Sequence, residues 1–181
     1  DEVFQDNNAP QPIIKQFVYT YAKGFFDRVN KEFTGFAEVT ETISDTKKIK
    51  HLFHQDLPRK GKEYRTEIQD INENPYAVSE NTWTANDQGG YYTVLLENEK
   101  SHTHDGQREN PKTTQTNYEY DTYGNRKKII QLGDTSFSGD EKYEEHTYTY
   151  NLDAYIVDAV IQSKTYGQNQ SDYRETLSSY D

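Results

Sequence analysis

The sequence predicts an all-β protein built from antiparallel hairpins that form twisted sheets. Short runs alternate polar with apolar or aromatic residues, turn-forming clusters separate these runs, and no stretch keeps a helical period. The 181 residues include 16 Tyr, 8 Phe and one Trp, and aromatic residues suit a half-buried pleated surface. Although only 31% of the residues are hydrophobic, this aromatic content is untypical of a disordered chain.

The alternating runs predict eight strands along the chain. These strands are FVYTY (17–21), RVNKEF (28–33), IKHLFH (49–54), KEYRTEI (62–68), YYTVLL (91–96), KKIIQL (127–132), EHTYTY (145–150) and AYIVDAVIQ (154–162). Turns are predicted at AKG (22–24), NENP (72–75), NDQGG (86–90), DTYGN (121–125), LGD (132–134), SGD (138–140) and YGQN (166–169).

The domain organisation predicted from composition is simple. Residues 1–16, with Pro10 and Pro12, predict a linker or an extended lead-in, and residues 17–181 predict one β-hairpin domain. The sequence contains no methionine, so we expect it to be a fragment of a longer protein.

Charge and residue content exclude several classes of function. The net charge of −11 argues against nucleic acid as a partner, because phosphate binding needs clustered lysine and arginine. Without cysteine the chain has no disulfide, zinc-thiolate site or thiol nucleophile, which fits a bacterial protein. No apolar run reaches membrane-spanning length, so this segment is not expected to insert into a membrane.

The stretch YEYDTYGN specifies one hairpin in detail. Alternation places Tyr118 and Tyr120 on one face of a strand, and Asp121 can start a type I turn. Gly124 then lies where a left-handed backbone is needed, and Asn125 tolerates similar angles. The stretch therefore predicts a hairpin with a bulged turn that presents two tyrosine rings to a core.

Tyrosine pairs recur along the chain. The pairs lie in the stretches YTY (19–21), YEYD (118–121) and YTYN (148–151), and a single tyrosine follows in SSYD (178–181). Tyr120, Tyr150 and Tyr180 are thirty residues apart, and such a spacing is typical of stacked supersecondary units. Coincidence in a tyrosine-rich chain is the alternative interpretation. The predicted repeat residues are Tyr118, Tyr120, Asp121, Gly124, Asn125, Tyr148, Tyr150, Tyr180 and Asp181.

The Y-x-Y-D-x-x-G-N element resembles the YD repeat of the bacterial Rhs family. The order of three blocks is most similar to the middle region of the B component of insecticidal toxin complexes and to SpvB-type proteins. The blocks are FVYTYAKGFFDRVNKEFTGFAEV (17–39), HLFHQDLPRKGKEYRTEI (51–68), and NYEYDTYGN (117–125) followed by HTYTYNLDAYIVDAVIQSKTY (146–166).

This resemblance implies a structural role. Runs of such hairpins in the family form a hollow β shell around a toxin polypeptide, so we expect a strip of that shell. The expected partners are flanking segments of the same protein and other toxin-complex subunits, in a secreted or surface-exposed virulence factor. The sequence shows no counterpart of the family's aspartyl self-cleaving core and no variable toxic domain, and no cofactor is expected.

Three stretches are weaker candidates for ligand binding. His102, His104 and Asp105 could supply two imidazoles and a carboxylate to zinc or nickel, although a solvated loop is the favoured interpretation. Trp83, with Tyr91 and Tyr92, could form a platform for a sugar ring, although packing in a core is favoured.

The stretch DINENP resembles the opening of a calcium loop. Pro75 stands where an EF-hand needs glycine, and Asn81 stands where it needs glutamate. An EF-hand is therefore excluded, a looser calcium site remains an alternative, and an ordinary turn is favoured. His51 and His54 would face opposite sides of a strand, and His54 with Asp56 forms a same-face pair that we interpret as structural.

No catalytic motif appears in the sequence. The acidic pairs Asp140-Glu141 and Glu144-Glu145 give no evidence of carboxylates held across a cleft, and nucleophile-elbow, phosphate-loop and H-E-x-x-H motifs are absent. The first hypothesis is thus a non-catalytic shell segment. The second is an adhesin-like module that recognises glycan or a host protein through SHTHDGQREN (101–110) and the Trp83 region.

Overall fold

In this computed structural model, which describes residues 2–6 and 13–180, the described chain forms twelve strands and one short 3-10 helix. The strands are β1 (Glu2–Asp6), β2 (Ile13–Asp27), β3 (Glu32–Ile43), β4 (Lys47–Phe53), β5 (Glu63–Asp70), β6 (Pro75–Asp87), β7 (Tyr92–Thr103), β8 (Lys112–Tyr120), β9 (Arg126–Asp134), β10 (Lys142–Asn151), β11 (Ile156–Gly167) and β12 (Arg174–Leu177). The helix is Gln168–Gln170. The order of hydrogen-bonded neighbours follows the chain from β1 to β12. The predicted all-β class of antiparallel hairpins is confirmed.

The chain divides into two compact units. The first unit comprises Asp1–Val94 and Ser101–Pro111, and therefore contains β1 to β6 with both ends of β7. The second unit comprises Leu95–Lys100 and Lys112–Asp181, and contains the middle of β7 with β8 to β12. Each unit is a run of antiparallel neighbours, because strands adjacent in sequence pair with each other.

Very little of the described chain is buried. The apolar core consists of Val78 in the first unit and Leu96 in the second, which are 5% and 8% exposed. Thr34 is the buried polar residue, and its hydroxyl donates to the Phe25 carbonyl over 3.2 Å. Most of the described side chains in the strands are half-buried or exposed.

The hairpin of β2 and β3 differs from its prediction at two places. The AKG turn is wrong, because β2 continues through Gly24 with an irregular register on the way to Phe26. The RVNKEF strand is also wrong, because residues 28–31 form the hairpin turn. The Asp27 carboxylate accepts the backbone N–H groups of Val29 and Asn30 at 2.8 and 3.2 Å, so a local side chain competes with strand pairing.

Other observed element boundaries also differ from the predicted ones. The predicted lead-in is extended where it is described, because Glu2–Asp6 form β1 and β2 begins at Ile13; the rest of the lead-in, residues 1 and 7–12, lies outside the described residues. The LGD turn is wrong, because β9 continues to Asp134, and the turn lies at residues 135–141. The AYIVDAVIQ strand begins only at Ile156, because Tyr155 has a left-handed backbone with φ of 57°. The predicted strands missed β1, most of β3, β6, most of β8 and β12.

Glycine at position 24 makes room for aromatic rings on this hairpin. A Cβ atom at Gly24 would lie 3.1 Å from a Phe36 ring carbon and 3.4 Å from one of Phe33. The Phe33 and Phe36 rings meet edge to face with centroids 5.3 Å apart, and the Tyr21 ring lies 5.1 Å from that of Phe36. Three rings therefore gather over a position that carries no side chain.

We expect Gly24→Ala to lower the free energy of unfolding by about 1 kcal/mol, because the added methyl group must displace the Phe36 ring. Urea unfolding measures the change. In a Phe36→Ala background the same substitution should be nearly neutral, since the obstructing ring is gone. An equal loss in both backgrounds would show that the backbone, not the ring, rejects the methyl group.

Candidate functional site

The turn between β8 and β9 is organised by the carboxylate of Asp121. Its Oδ1 accepts the backbone N–H groups of Tyr123 and Asn125 at 2.9 and 2.8 Å. Its Oδ2 accepts the Asn125 side-chain amide and the Tyr150 hydroxyl, both at 2.8 Å. The Asn125 amide also donates to the Val157 carbonyl over 2.6 Å. One aspartate thus fixes its own turn and ties it to β10, while its asparagine partner reaches β11.

The backbone of this turn follows the predicted pattern. Gly124 has φ of 88°, in the left-handed region that favours glycine, and its N–H donates to the Asp121 carbonyl over 3.2 Å. The Asp121 N–H donates to the Asn125 carbonyl over 3.0 Å. We call this arrangement the clasp: an Asp carboxylate that accepts both the backbone and side-chain N–H groups of an Asn four residues later.

The two tyrosines before the clasp lie on the same face of β8, as alternation predicts. Tyr118 and Tyr120 are half-buried, whereas Glu119 between them is exposed. The Tyr120 hydroxyl donates to the Leu96 carbonyl over 2.8 Å, and the Tyr118 hydroxyl donates to the Glu99 carboxylate. Both phenols therefore fasten β8 to the middle of β7 within the second unit.

The later tyrosines of the predicted repeat do not all bond alike. Tyr148 donates to the Arg126 carbonyl of β9 over 2.9 Å, and Tyr180, which follows β12, donates to the Val160 carbonyl of β11 over 2.8 Å. Each therefore holds the main chain of an earlier strand. Tyr150 instead donates to the Asp121 carboxylate. Tyr150 thus plays a different part from Tyr120 and Tyr180, although all three share the thirty-residue spacing. Asp181 lies outside the described residues.

Hydrogen bonding and burial shift the pKa values around the clasp. Burial raises the pKa of Asp121, but hydrogen bonds from Asn125, Tyr150 and Tyr123 outweigh it and hold that pKa below its ordinary value. Burial, together with the hydrogen bond to the Glu99 carboxylate, raises the pKa of Tyr118 to about 12. The Arg126 guanidinium lies 4.4 Å from the Tyr118 ring centroid and opposes that rise.

We expect the Tyr118 phenol to ionise near pH 12, about two units above an ordinary tyrosine. The raised pKa means that the neutral phenol stabilises the fold below pH 10, and that this contribution disappears as the pH rises through 12. Titration of ¹³C-labelled tyrosine by NMR, with Tyr118→Phe to assign the resonance, measures the value. Ionisation near pH 10 would contradict the hydrogen bond to Glu99.

The histidines and the aspartate of the 101–110 stretch have separate neighbours. The His102 ring nitrogen lies 3.3 Å from a Glu80 carboxylate oxygen, and the His104 ring lies 3.0 Å from the Gln107 carbonyl. The two imidazole centroids are 6.5 Å apart, and Asp105 is exposed. Among the residues that the structure describes, no group of three or more potential ligands is placed to hold a metal ion.

Two further histidines of the first unit also form individual contacts. His51 lies 2.6 Å from the Glu63 carboxylate. His54 lies 3.5 Å from Asp56, and its ring centroid is 4.9 Å from that of Tyr64. Burial, aided by the charge of a nearby arginine, lowers the pKa of His54. These contacts link each histidine to a neighbouring segment of the first unit.

The aromatic residues of the proposed sugar platform have different surroundings. The Trp83 indole N–H donates to the Glu63 carbonyl over 2.8 Å, and the Lys62 ammonium lies 4.8 Å from its ring centroid. Tyr91 is 68% exposed, in the turn between β6 and β7, and Tyr92 begins β7. The indole therefore packs within the first unit, while the Tyr91 ring faces solvent.

A groove of about 510 Å³ lies beside the acidic pairs of the second unit. Two of its lining carboxylates are engaged in turns: Asp140 accepts the Asp134 N–H over 2.9 Å, and Glu141 accepts the Gly139 N–H over 2.7 Å. Glu144, which also lines it, lies 2.9 Å from His146 on the same strand. These three carboxylates thus serve the local structure.

No protein-family model matches the sequence, and no curated protein matches it. Among solved structures, the chain is similar to the crystal structure of TcdB2-TccC3, with a TM-score of 0.66 and 12% identity. It is also similar to TcdB2-TccC3 without the hypervariable C-terminal region (TM-score 0.67, 12% identity) and to a Tc holotoxin pore from Photorhabdus luminescens (TM-score 0.68, 11% identity).

These matches define the class of fold. Each covers 91% of this chain and 12% of the other chain, so the chain spans about one eighth of the length of the structures it matches. At these identities the likeness shows a shared antiparallel β fold, found within chains of Tc toxin structures. No helix in the described part of the chain is long and apolar enough to cross a bilayer.

Proposed function

We propose that this chain is a non-catalytic β segment of a large bacterial toxin-complex-like protein and contributes wall and interface to a β shell. The observation that carries the proposal is the scarcity of burial in a chain rich in aromatic residues. Val78 and Leu96 alone among the described apolar side chains are buried, while Tyr21, Phe26 and Phe33 are each more than half exposed. Such faces are normally covered by a partner surface.

The open edge of the second unit supports the same role. β12 pairs with β11 through Gln162 to Thr165, and the described chain provides no strand for its other edge. Its backbone groups there are available to a further strand, which is how a sheet is extended by a neighbouring segment. The matched fold occurs within chains about eight times longer, which supports flanking segments as partners. One of the matched structures is a Tc holotoxin pore, which supports other toxin-complex subunits as partners and an extracellular location.

Light scattering, combined with a hydrophobic dye, tests the proposal on the isolated chain. We expect association or strong dye binding together with a β-type circular dichroism spectrum, because the apolar faces lack their cover. A Phe26→Ser/Phe33→Ser variant should bind less dye, whereas Tyr91→Ser, which changes a more exposed ring in a turn, should not. A monomer with little dye binding would refute the shell segment and favour the adhesin-like module, for which a glycan and protein screen follows.

A further inference from the structure

The turn at DINEN repeats the clasp bond for bond. The Asp70 carboxylate accepts the Asn74 backbone N–H through Oδ1 and the Asn74 side-chain amide through Oδ2, both at 2.8 Å. The Asp70 N–H donates to the Asn74 carbonyl over 3.0 Å, and the Glu73 N–H donates to the Asp70 carbonyl over 3.1 Å. Four corresponding bonds hold the turn at Asp121, at distances within 0.1 Å of these.

The strands beside the two turns also keep the same register. Gln69 pairs with Pro75, and after an irregularity Ile68 pairs with Ala77. Adding 51 to these numbers gives the pairs of Tyr120 with Arg126 and of Glu119 with Lys128, with the irregularity at the same place. The correspondence continues along the strands for three more pairs, up to Arg65 with Glu80 and Thr116 with Gln131.

The two clasps differ at the residue with left-handed backbone. Gly124 occupies that position in the second clasp, whereas Glu73 occupies it in the first with φ of 67°. A side chain there is unfavourable by about 1–2 kcal/mol relative to glycine. The first clasp therefore needs support that the second does not.

The polar loop after β7 supplies such support. The His104 N–H donates to the Tyr76 carbonyl over 2.8 Å, and the Gly106 N–H donates to the Pro75 carbonyl over 3.0 Å. The Arg108 guanidinium donates to the Glu73 carbonyl over 3.2 Å. Residues 104–108 thus lie along the first clasp and contact its left-handed residue, all within the first unit.

We infer that the β5–β6 hairpin is a second copy of the clasped hairpin, offset by 51 residues, and that residues 104–108 are a strap that holds its turn. Each clasp thus accepts one outside donor, the Arg108 guanidinium at the Glu73 carbonyl of the first and the Tyr150 hydroxyl at the Asp121 carboxylate of the second. This assigns the longest polar connection of the chain a structural function. The repeated feature is then the turn, with the pattern D-x-x-x-N and a left-handed backbone at its fourth residue. The tyrosines do not define the repeat.

Backbone hydrogen–deuterium exchange, measured by NMR on the whole chain, tests both parts. Arg108→Gln should accelerate exchange at the Glu73 and Asn74 amides by about tenfold, since a hydrogen bond from a charged group is lost. The amides of Gly124 and Asn125 should be unaffected. Tyr150→Phe should accelerate exchange at Gly124 and Asn125 and leave Glu73 and Asn74 unaffected. Lys31→Gln, at an exposed turn, should change exchange at neither clasp.

Three further results test the equivalence of the two hairpins and the strap separately. Asp70→Ala should remove protection at Asn74 as Asp121→Ala does at Asn125, and protection that survives only at Asn74 would overturn the equivalence of the hairpins. Glu73→Gly should raise the melting temperature by about 2–4 °C if the side chain strains the turn. An Arg108→Gln variant with unchanged exchange at Glu73 and Asn74 would overturn the strap, whatever the fate of the repeat.

Discussion

Replacing Asp121 with alanine is expected to lower the free energy of unfolding by about 3 kcal/mol, because four hydrogen-bond donors lose one charged acceptor. Two of these donors are backbone N–H groups of the turn, and the others are the Asn125 amide and the Tyr150 hydroxyl. A hydrogen bond to a charged group contributes about 1.5–3 kcal/mol. The total stays below the simple sum because water reaches part of this turn.

Urea unfolding of Asp121→Ala measures the loss, and Asp153→Ala provides the matched control. Asp153 is an exposed aspartate in the β10–β11 turn, so its substitution should change stability by less than about 0.5 kcal/mol. Asp121→Asn should lie between the two, since its amide oxygen still accepts but carries no charge. A loss from Asp121→Ala no greater than that from the control would show that the clasp does not stabilise the hairpin.

The second large effect is expected on acidification, which should lower the stability of the protein progressively below about pH 4. Hydrogen bonds to Asn30, Asn74 and Ser136 hold the pKa values of Asp27, Asp70 and Asp134 below the ordinary 3.8. Hydrogen bonds from Lys50 and Lys23 do the same for Glu38. A carboxyl whose pKa is lower in the folded state adds stability above its unfolded pKa, and loses it as the pH falls through the folded value.

Thermal unfolding between pH 7 and pH 2 measures this dependence. Stability should stay nearly level from pH 7 to about pH 5, apart from a small decrease below pH 6.5 due to His54, whose folded pKa is lowered by burial. It should then fall steeply through the pKa range of the aspartates. The double variant Asp70→Ala/Asp121→Ala should be less stable at pH 7 and lose less on acidification. A level profile down to pH 3 would contradict the clasp geometry.

The sequence predicted the all-β class because alternation of polar and apolar residues is a local signal that any half-exposed strand must keep. It failed where a local side chain overrides that signal. Arg28 to Lys31 carry an alternating pattern, yet the Asp27 carboxylate bonds two of the following backbone N–H groups and bends the chain there. Gly24 shows the opposite error, because a turn was predicted where the strand continues. Glycine is typical of turns, but here it makes room for the Phe36 ring within a long strand.

Of the two clasps, only the one at Asp121 could be predicted from the sequence, for a similar reason. The turn at Asp121 was predicted from Gly124 and Asn125, whose conformational preferences are strong. Its copy at Asp70 was correctly predicted as a turn but not as a clasp, because Glu73 stands at the left-handed position and no tyrosine precedes the aspartate. The usable signal was the aspartate–asparagine spacing alone, which is too common to be recognised without the strand register beside it.

The pairing of each strand with its sequence neighbour bears on how such a chain can fold. Every hairpin closes a short loop, so the entropy lost on closure is small and is recovered by contacts formed at the same step. A nascent chain can therefore add one hairpin at a time to an existing edge, without waiting for a distant partner strand. Each completed strand then offers a free edge on which the next strand can pair.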